Sequence, residues 1–125
     1  MIFIIGGAYQ GKLEYAKNKF GLNETDIFEC SSEGQIDFSR KCIYASEEFA
    51  MSCVKSGKDA VKVFCDNRAK WKDSIIIMRD IFCGVVPMGA ENRAWREMAG
   101  RLAGYLSNEA EKVIRIFCGL EQILK

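Results

Sequence analysis

The first thirteen residues, Met1-Ile-Phe-Ile-Ile-Gly-Gly-Ala-Tyr-Gln-Gly-Lys-Leu13, constrain the fold more than any other stretch. Ile2 to Ile5 is an apolar run that reads as a buried strand. It breaks into Gly6-x4-Gly11-Lys12, and a helix is expected from Gly11 to Phe20, ended by Gly21-Leu-Asn23. Strand, glycine loop, lysine and helix in this order form the layout of a phosphate-binding loop. Backbone N–H groups and the helix N-terminus face an anion, and the lysine adds a full charge. One part departs from the pattern: the residue after the lysine should carry a hydroxyl to hold Mg²⁺, and here it is Leu13.

The remaining segments extend the same architecture. Asp26 to Cys30 reads as a short strand and Ser31 to Gln35 as a polar loop. Tyr44 to Ser56 reads as a helix, with Phe49, Cys53 and Val54 at helical spacing and Gly57 as its stop. Lys58 to Lys70 reads as another helix, with Asp66, Lys70 and Lys72 as surface charge. Ser74 to Ile81 is strongly β-branched and suits a central parallel strand. A loop over Cys83–Gly89 holds the single proline, Pro87. Ala90 to Ala110 reads as a long helix, Val113 to Cys118 as the last strand and Gly119 to Lys125 as a tail. Strands separated by helices predict an α/β, three-layer fold of the P-loop nucleotide-binding type. A mainly parallel sheet of four or five strands is expected, in a single domain over residues 1–125. Ligands bind such sheets at the carboxyl ends of the strands.

The totals exclude several classes. Eighteen basic and 17 acidic residues leave a net charge of +1, which gives no electrostatic case for nucleic acid or an anionic membrane as partner. No apolar run approaches the about 20 residues of a membrane span. No charged leader precedes the first strand, so a cytoplasmic protein is expected. The six cysteines include no C-x-x-C pair and are expected to be reduced and largely buried. With no histidine in the chain, no mechanism can use a histidine of its own as base, nucleophile or metal ligand.

Four segments together carry a family resemblance. Gly6-Gly-Ala-Tyr-Gln-Gly-Lys12 resembles a Gly-Gly-Ala-x-Ser-Gly-Lys-Ser loop. Ser74-Ile-Ile-Ile-Met-Arg-Asp-Ile-Phe-Cys-Gly-Val-Val-Pro87 is similar to a strand, acidic residue and Gly-x-Val-Pro turn. Glu91-Asn-Arg-Ala-Trp-Arg-Glu-Met-Ala-Gly-Arg-Leu102 resembles an Arg-x-x-Arg-x-x-x-Gly-Arg helix, and Val113 to Lys125 a closing strand, glycine and terminal lysine. The patterns they resemble are those of the adenosylcobinamide kinase/adenosylcobinamide-phosphate guanylyltransferase family, and the resemblance covers roughly the first 20 residues and everything from Ser74 onward.

The resemblance implies ATP or GTP as partner, phosphorylation of the adenosylcobinamide hydroxyl in cobalamin biosynthesis, and a homotrimer. It implies a nucleotide-binding set of Gly6, Gly7, Ala8, Gln10, Gly11, Lys12 and Leu13. Lys12 and Asp80 would be catalytic, with Asp80 helping to place Mg²⁺. Arg93 and Arg96, three apart on one helix face, would hold phosphate or substrate. The chain also departs from the family: its middle is short, Gln10 and Leu13 replace the loop hydroxyls, and the guanylylated histidine is missing. Guanylyl transfer by that route is therefore excluded.

Each site has a plainer reading beside the functional one. Gly6–Lys12 could be a glycine turn with a solvated lysine. Asp80 could be a strand-end acid paired with Arg79. Arg93, Arg96 and Arg101 could belong to a solvated face. Leu13 could mark lost kinase chemistry, or water or Asp80 could hold the metal in its place. A relative that binds nucleotide or corrinoid without turnover stands beside the kinase reading.

Overall fold

In the computed structural model, residues 1–81 and 89–125 are described. Residues 83–88 of the expected Cys83–Gly89 loop, and residues 82–87 of the Ser74–Pro87 family motif, lie outside them. Six strands form one sheet: β1 (Ile2–Gly6), β2 (Ile27–Glu29), β3 (Cys42–Tyr44), β4 (Ile75–Arg79), β5 (Lys112–Phe117) and β6 (Leu120–Ile123). Their order is β2-β3-β4-β1-β5-β6. The first five run parallel, and β6 returns antiparallel along β5.

Strands buried on both faces need apolar side chains at every position, and β1 and β4 supply them. Phe3, Ile76 and Met78 enter one core, while Ile4, Ile75 and Ile77 enter the other. Helix α1 (Lys12–Phe20) covers the second face, burying Ala16 and packing Leu13, Tyr15 and Phe20 against the strands. The opposite face carries α2 (Ser46–Ser56), α3 (Ala60–Asp66), α4 (Arg68–Trp71) and α5 (Ala90–Glu109). Its centre is aromatic. Phe64 meets Phe38, Phe49 and Trp71 at ring separations of 5.0, 5.7 and 5.8 Å, and Trp71 meets Tyr105 at 6.1 Å. The result is helix, sheet and helix in three layers. Among the described residues no helix is long and apolar enough to cross a membrane.

The structure corrects the sequence reading in four places. The sheet has six strands, not four or five. Tyr44 is strand, not helix: Cys42–Tyr44 pairs with β2 and β4, and Ala45 turns the chain with φ of 60° before α2 begins at Ser46. The helix expected over Lys58–Lys70 is two helices. Asn67 separates them, its amide donating to Val63 O at 2.8 Å in competition with the backbone. The expected tail from Gly119 is a strand, reached through a two-residue turn in which Cys118 and Gly119 both have positive φ, 51° and 76°. That is the backbone a tight hairpin requires, since its twist matches that of the strands. Among the described residues the thiols divide: Cys30, Cys42 and Cys53 are buried, whereas Cys65 and Cys118 are exposed.

Candidate functional site

The loop from Gly6 to Gly11 leaves the carboxyl end of β1 at the middle of the sheet and enters α1. Gly6 is required by its neighbour. A Cβ there would stand 2.5 Å from the carbonyl oxygen of Ile116 in the adjacent strand. Gly6→Ala is therefore expected to force β1 and β5 apart and to lower stability by about 1–3 kcal/mol, read as a lower urea midpoint. Gly11 has φ of 83°, and no side chain caps the first turn of α1. The first amides of α1 therefore have no capping side chain to accept from them.

Lys12 folds back into this loop. Its side chain is 7% exposed, and Nζ donates to the Gly7 carbonyl oxygen at 2.7 Å. Burial pulls its pKa below the usual lysine range, Glu47 opposes that shift and Arg79 adds to it. The lysine is not a solvated surface residue. It is a desolvated cation held by one backbone carbonyl beside the start of a helix.

The rest of the loop is braced from the C-terminal side. The Gln10 side-chain oxygen accepts from the Cys118 N–H, and the Gln10 carbonyl accepts from the Gly119 N–H at 2.9 Å. The Tyr15 hydroxyl on α1 donates to Glu121 on β6, which with burial pushes the phenol up to about 12. Ala8 and Tyr9 stand exposed at the loop tip, Tyr9 with φ of 60°.

A cavity of about 260 Å³ opens against the loop, lined by Ala8 to Glu14 and by Tyr44, Glu47 and Arg79. It has room for a polyphosphate and is smaller than the roughly 300–1,000 Å³ of pockets that enclose whole drug-sized ligands. A larger cavity of about 670 Å³ lies elsewhere, between the 33–39 segment and α2 and α3. Its acids are already engaged: Glu33 pairs with Lys55 at 2.9 Å, and Asp37 accepts from Ser39 N–H at 2.9 Å. The glycine loop, with a buried cation aimed into it, is the stronger candidate.

The expected residues do not all converge. Gly6, Gly7, Ala8, Gln10, Gly11, Lys12 and Leu13 form one continuous loop and helix start. Asp80 follows β4, and its N–H donates to the Gly6 carbonyl at 2.8 Å, which places its backbone against the loop's first residue. Arg93 is exposed and Arg96 half-buried on the first two turns of α5, and neither lines the 260 Å³ cavity. Arg101 pairs with Asp59 at 2.7 Å. Leu13 lines the cavity and packs on the α1 face of the sheet.

Among the cavity residues that escape the sequence reading are Glu47, 4% exposed, and Tyr44. Neither sits in a recognisable motif. The available signal for Glu47 was its place in the first turn of a helix that follows a strand. No protein-family model matches this sequence, and no curated protein is significantly similar to it.

Proposed function

We propose that this chain is a P-loop protein that holds the phosphates of ATP or GTP in the Gly6–Lys12 loop. It transfers the γ-phosphoryl group to the hydroxyl of adenosylcobinamide, as a short adenosylcobinamide-kinase-like protein of cobalamin biosynthesis. The observation that carries the phosphate-binding part is Lys12. A buried ammonium with one carbonyl partner among the described residues, at the start of a helix and the carboxyl end of a central parallel strand, is a poor arrangement for stability alone. It is a good one for an anion that replaces the carbonyl. The acceptor and the pathway rest on the sequence resemblance.

In this reading the loop amides and the first turn of α1 bind the phosphates, and Lys12 neutralises charge on the oxygens of the transferred group. Asp80, whose backbone lies beside the loop's first residue, would help to hold Mg²⁺. Mg²⁺ held beside the nucleotide phosphates would supply charge neutralisation in such a transfer. The donor set suits it in kind, since the cavity lining carries the carboxylates of Glu14 and Glu47 and Mg²⁺ takes one or two carboxylates together with the substrate's phosphates. Arg93 and Arg96 stand off the cavity, so a role for them falls to the acceptor side.

A second reading, nucleotide or corrinoid binding without turnover, is favoured by Leu13. The side chain packs against apolar neighbours and offers the cavity no oxygen. Leu13→Ser separates the two readings. Phosphorylation of adenosylcobinamide by the wild type, preserved or raised by a few-fold in Leu13→Ser, supports the kinase. Binding of ATP or GTP with no turnover in either protein supports the non-catalytic reading. Calorimetric titration of both nucleotides tests the proposal itself, and no binding of either would end it.

A further inference from the structure

We infer that Glu47 is the carboxylate that accommodates the divalent cation of the bound nucleotide, taking over from the hydroxyl absent at Leu13. This rests on the nucleotide reading above. Glu47 reaches the site from the wall facing the loop. It stands in the first turn of α2, just past the carboxyl end of β3, and its side chain lines the same cavity as Lys12.

The position is fixed by three separate bonds. Glu47 Oε1 accepts from the Arg79 N–H at 2.8 Å, and the Glu47 carbonyl accepts from Trp95 Nε1 at 2.7 Å. The preceding Ser46 hydroxyl donates to the Ile77 carbonyl at 3.0 Å. Strand β4 and helix α5 thus both hold the start of α2. The backbone there is anchored on two sides, and the Arg79 N–H holds the carboxylate oxygen at the cavity wall.

The charges around it set the chemistry. Burial raises the pKa of Glu47, and hydrogen bonding to the Arg79 N–H opposes that. Facing groups are Lys12 and Arg79, with Glu14 and Tyr44 on the same lining. The Arg79 guanidinium lies 3.8 Å from Glu48, so part of its charge is directed away. A polyphosphate entering this cavity brings several negative charges beside a buried carboxylate. With Lys12 as the one lysine of the lining, that contact is repulsive. A hard divalent cation between carboxylate and phosphate turns repulsion into ligation, and Mg²⁺ commonly binds through one or two carboxylates plus substrate phosphates. A plain helix-start role for Glu47 would need only an acceptor for the Arg79 N–H, which a glutamine provides equally well.

The test is calorimetric titration of ATP with excess EDTA and with excess Mg²⁺, on wild type and Glu47→Gln. Matched thermal melts check that the variant is folded. The wild type is expected to bind the Mg²⁺ complex at least about tenfold more tightly than free ATP. In Glu47→Gln that ratio should fall to near one, because the Mg²⁺ complex binds more weakly and free ATP more tightly. A folded Glu47→Gln protein that keeps the wild-type ratio overturns this inference and leaves the nucleotide reading standing. A wild type that binds ATP under neither condition overturns the nucleotide reading, and the role of Glu47 with it.

Discussion

Replacing Lys12 by alanine is expected to weaken binding of ATP and GTP by about 10- to 100-fold, the loss of one charge-assisted contact of about 1.5–3 kcal/mol. Under the proposed kinase reading, turnover with adenosylcobinamide should fall below detection. The reason lies in where the ammonium sits. It is 7% exposed and bound to the Gly7 carbonyl, so a phosphate meets a cation already stripped of most of its water. Such an interaction is stronger than one made at a solvated surface. The fold should survive. Lys12 has been desolvated for a single carbonyl bond, so its removal gives up little packing. A melting temperature within a few degrees of wild type is expected, at roughly 4 °C per kcal/mol for a chain of this size. Calorimetry and a thermal melt on the same sample check both parts. Unchanged affinity in a folded Lys12→Ala protein would show that nucleotide binds without the loop.

The largest stability effect is expected at Trp71. This indole is 1% exposed, makes aromatic contacts with Phe64 and Tyr105, and donates from Nε1 to the Phe64 carbonyl at 2.7 Å. Trp71→Ala opens a large cavity in the α2–α5 layer and removes one of that carbonyl's donors, the Asn67 N–H at 3.1 Å remaining. Losses of about 3–5 kcal/mol accompany such truncations, against a total stability of about 5–15 kcal/mol for a typical domain. Urea unfolding followed by far-UV circular dichroism should show a midpoint far below wild type, or a protein that fails to accumulate. Trp71→Phe keeps most of the ring and loses the donor, so it should fall between the two. A Trp71→Ala midpoint close to wild type would mean that the layer repacks around the hole.

The parts of this fold that were legible are those where one local signal is also the tertiary one. Ile2–Ile5 and Ile75–Met78 are apolar at every position because both faces are covered, and no helix of a half-exposed layer would read that way. Gly6 and Gly11 announce the loop because the backbone there tolerates nothing larger or needs positive φ. Strand β3 was missed because three residues are too few to show a period, and Tyr44 continues smoothly into the pattern of α2. Strand β6 was missed because all four of its residues are exposed, so no alternation marks a buried face. Its register comes from the Cys118–Gly119 turn. Glu47 was missed for another reason. In sequence it is one of two adjacent acids at a helix start, and only the packing of α2 on β4 and α5 turns one of them inward. Charge at a helix N-terminus is common; charge buried there against a lysine is visible only in three dimensions.

The brace on Gln10 bears on the order in which the molecule is built. The loop lies at the very start of the sequence, yet its tip is held by the backbone of residues 118 and 119. A nascent chain, or a proteolytic fragment, can contain every residue of the motif and still lack its shape. The glycine loop gains its final form only after β5 has joined β1 and the hairpin beyond it has turned. Such a closure spans nearly the whole sequence and belongs to the slow, non-local class of folding events. The site thus takes its final form only where residues 108 positions apart in the chain have met.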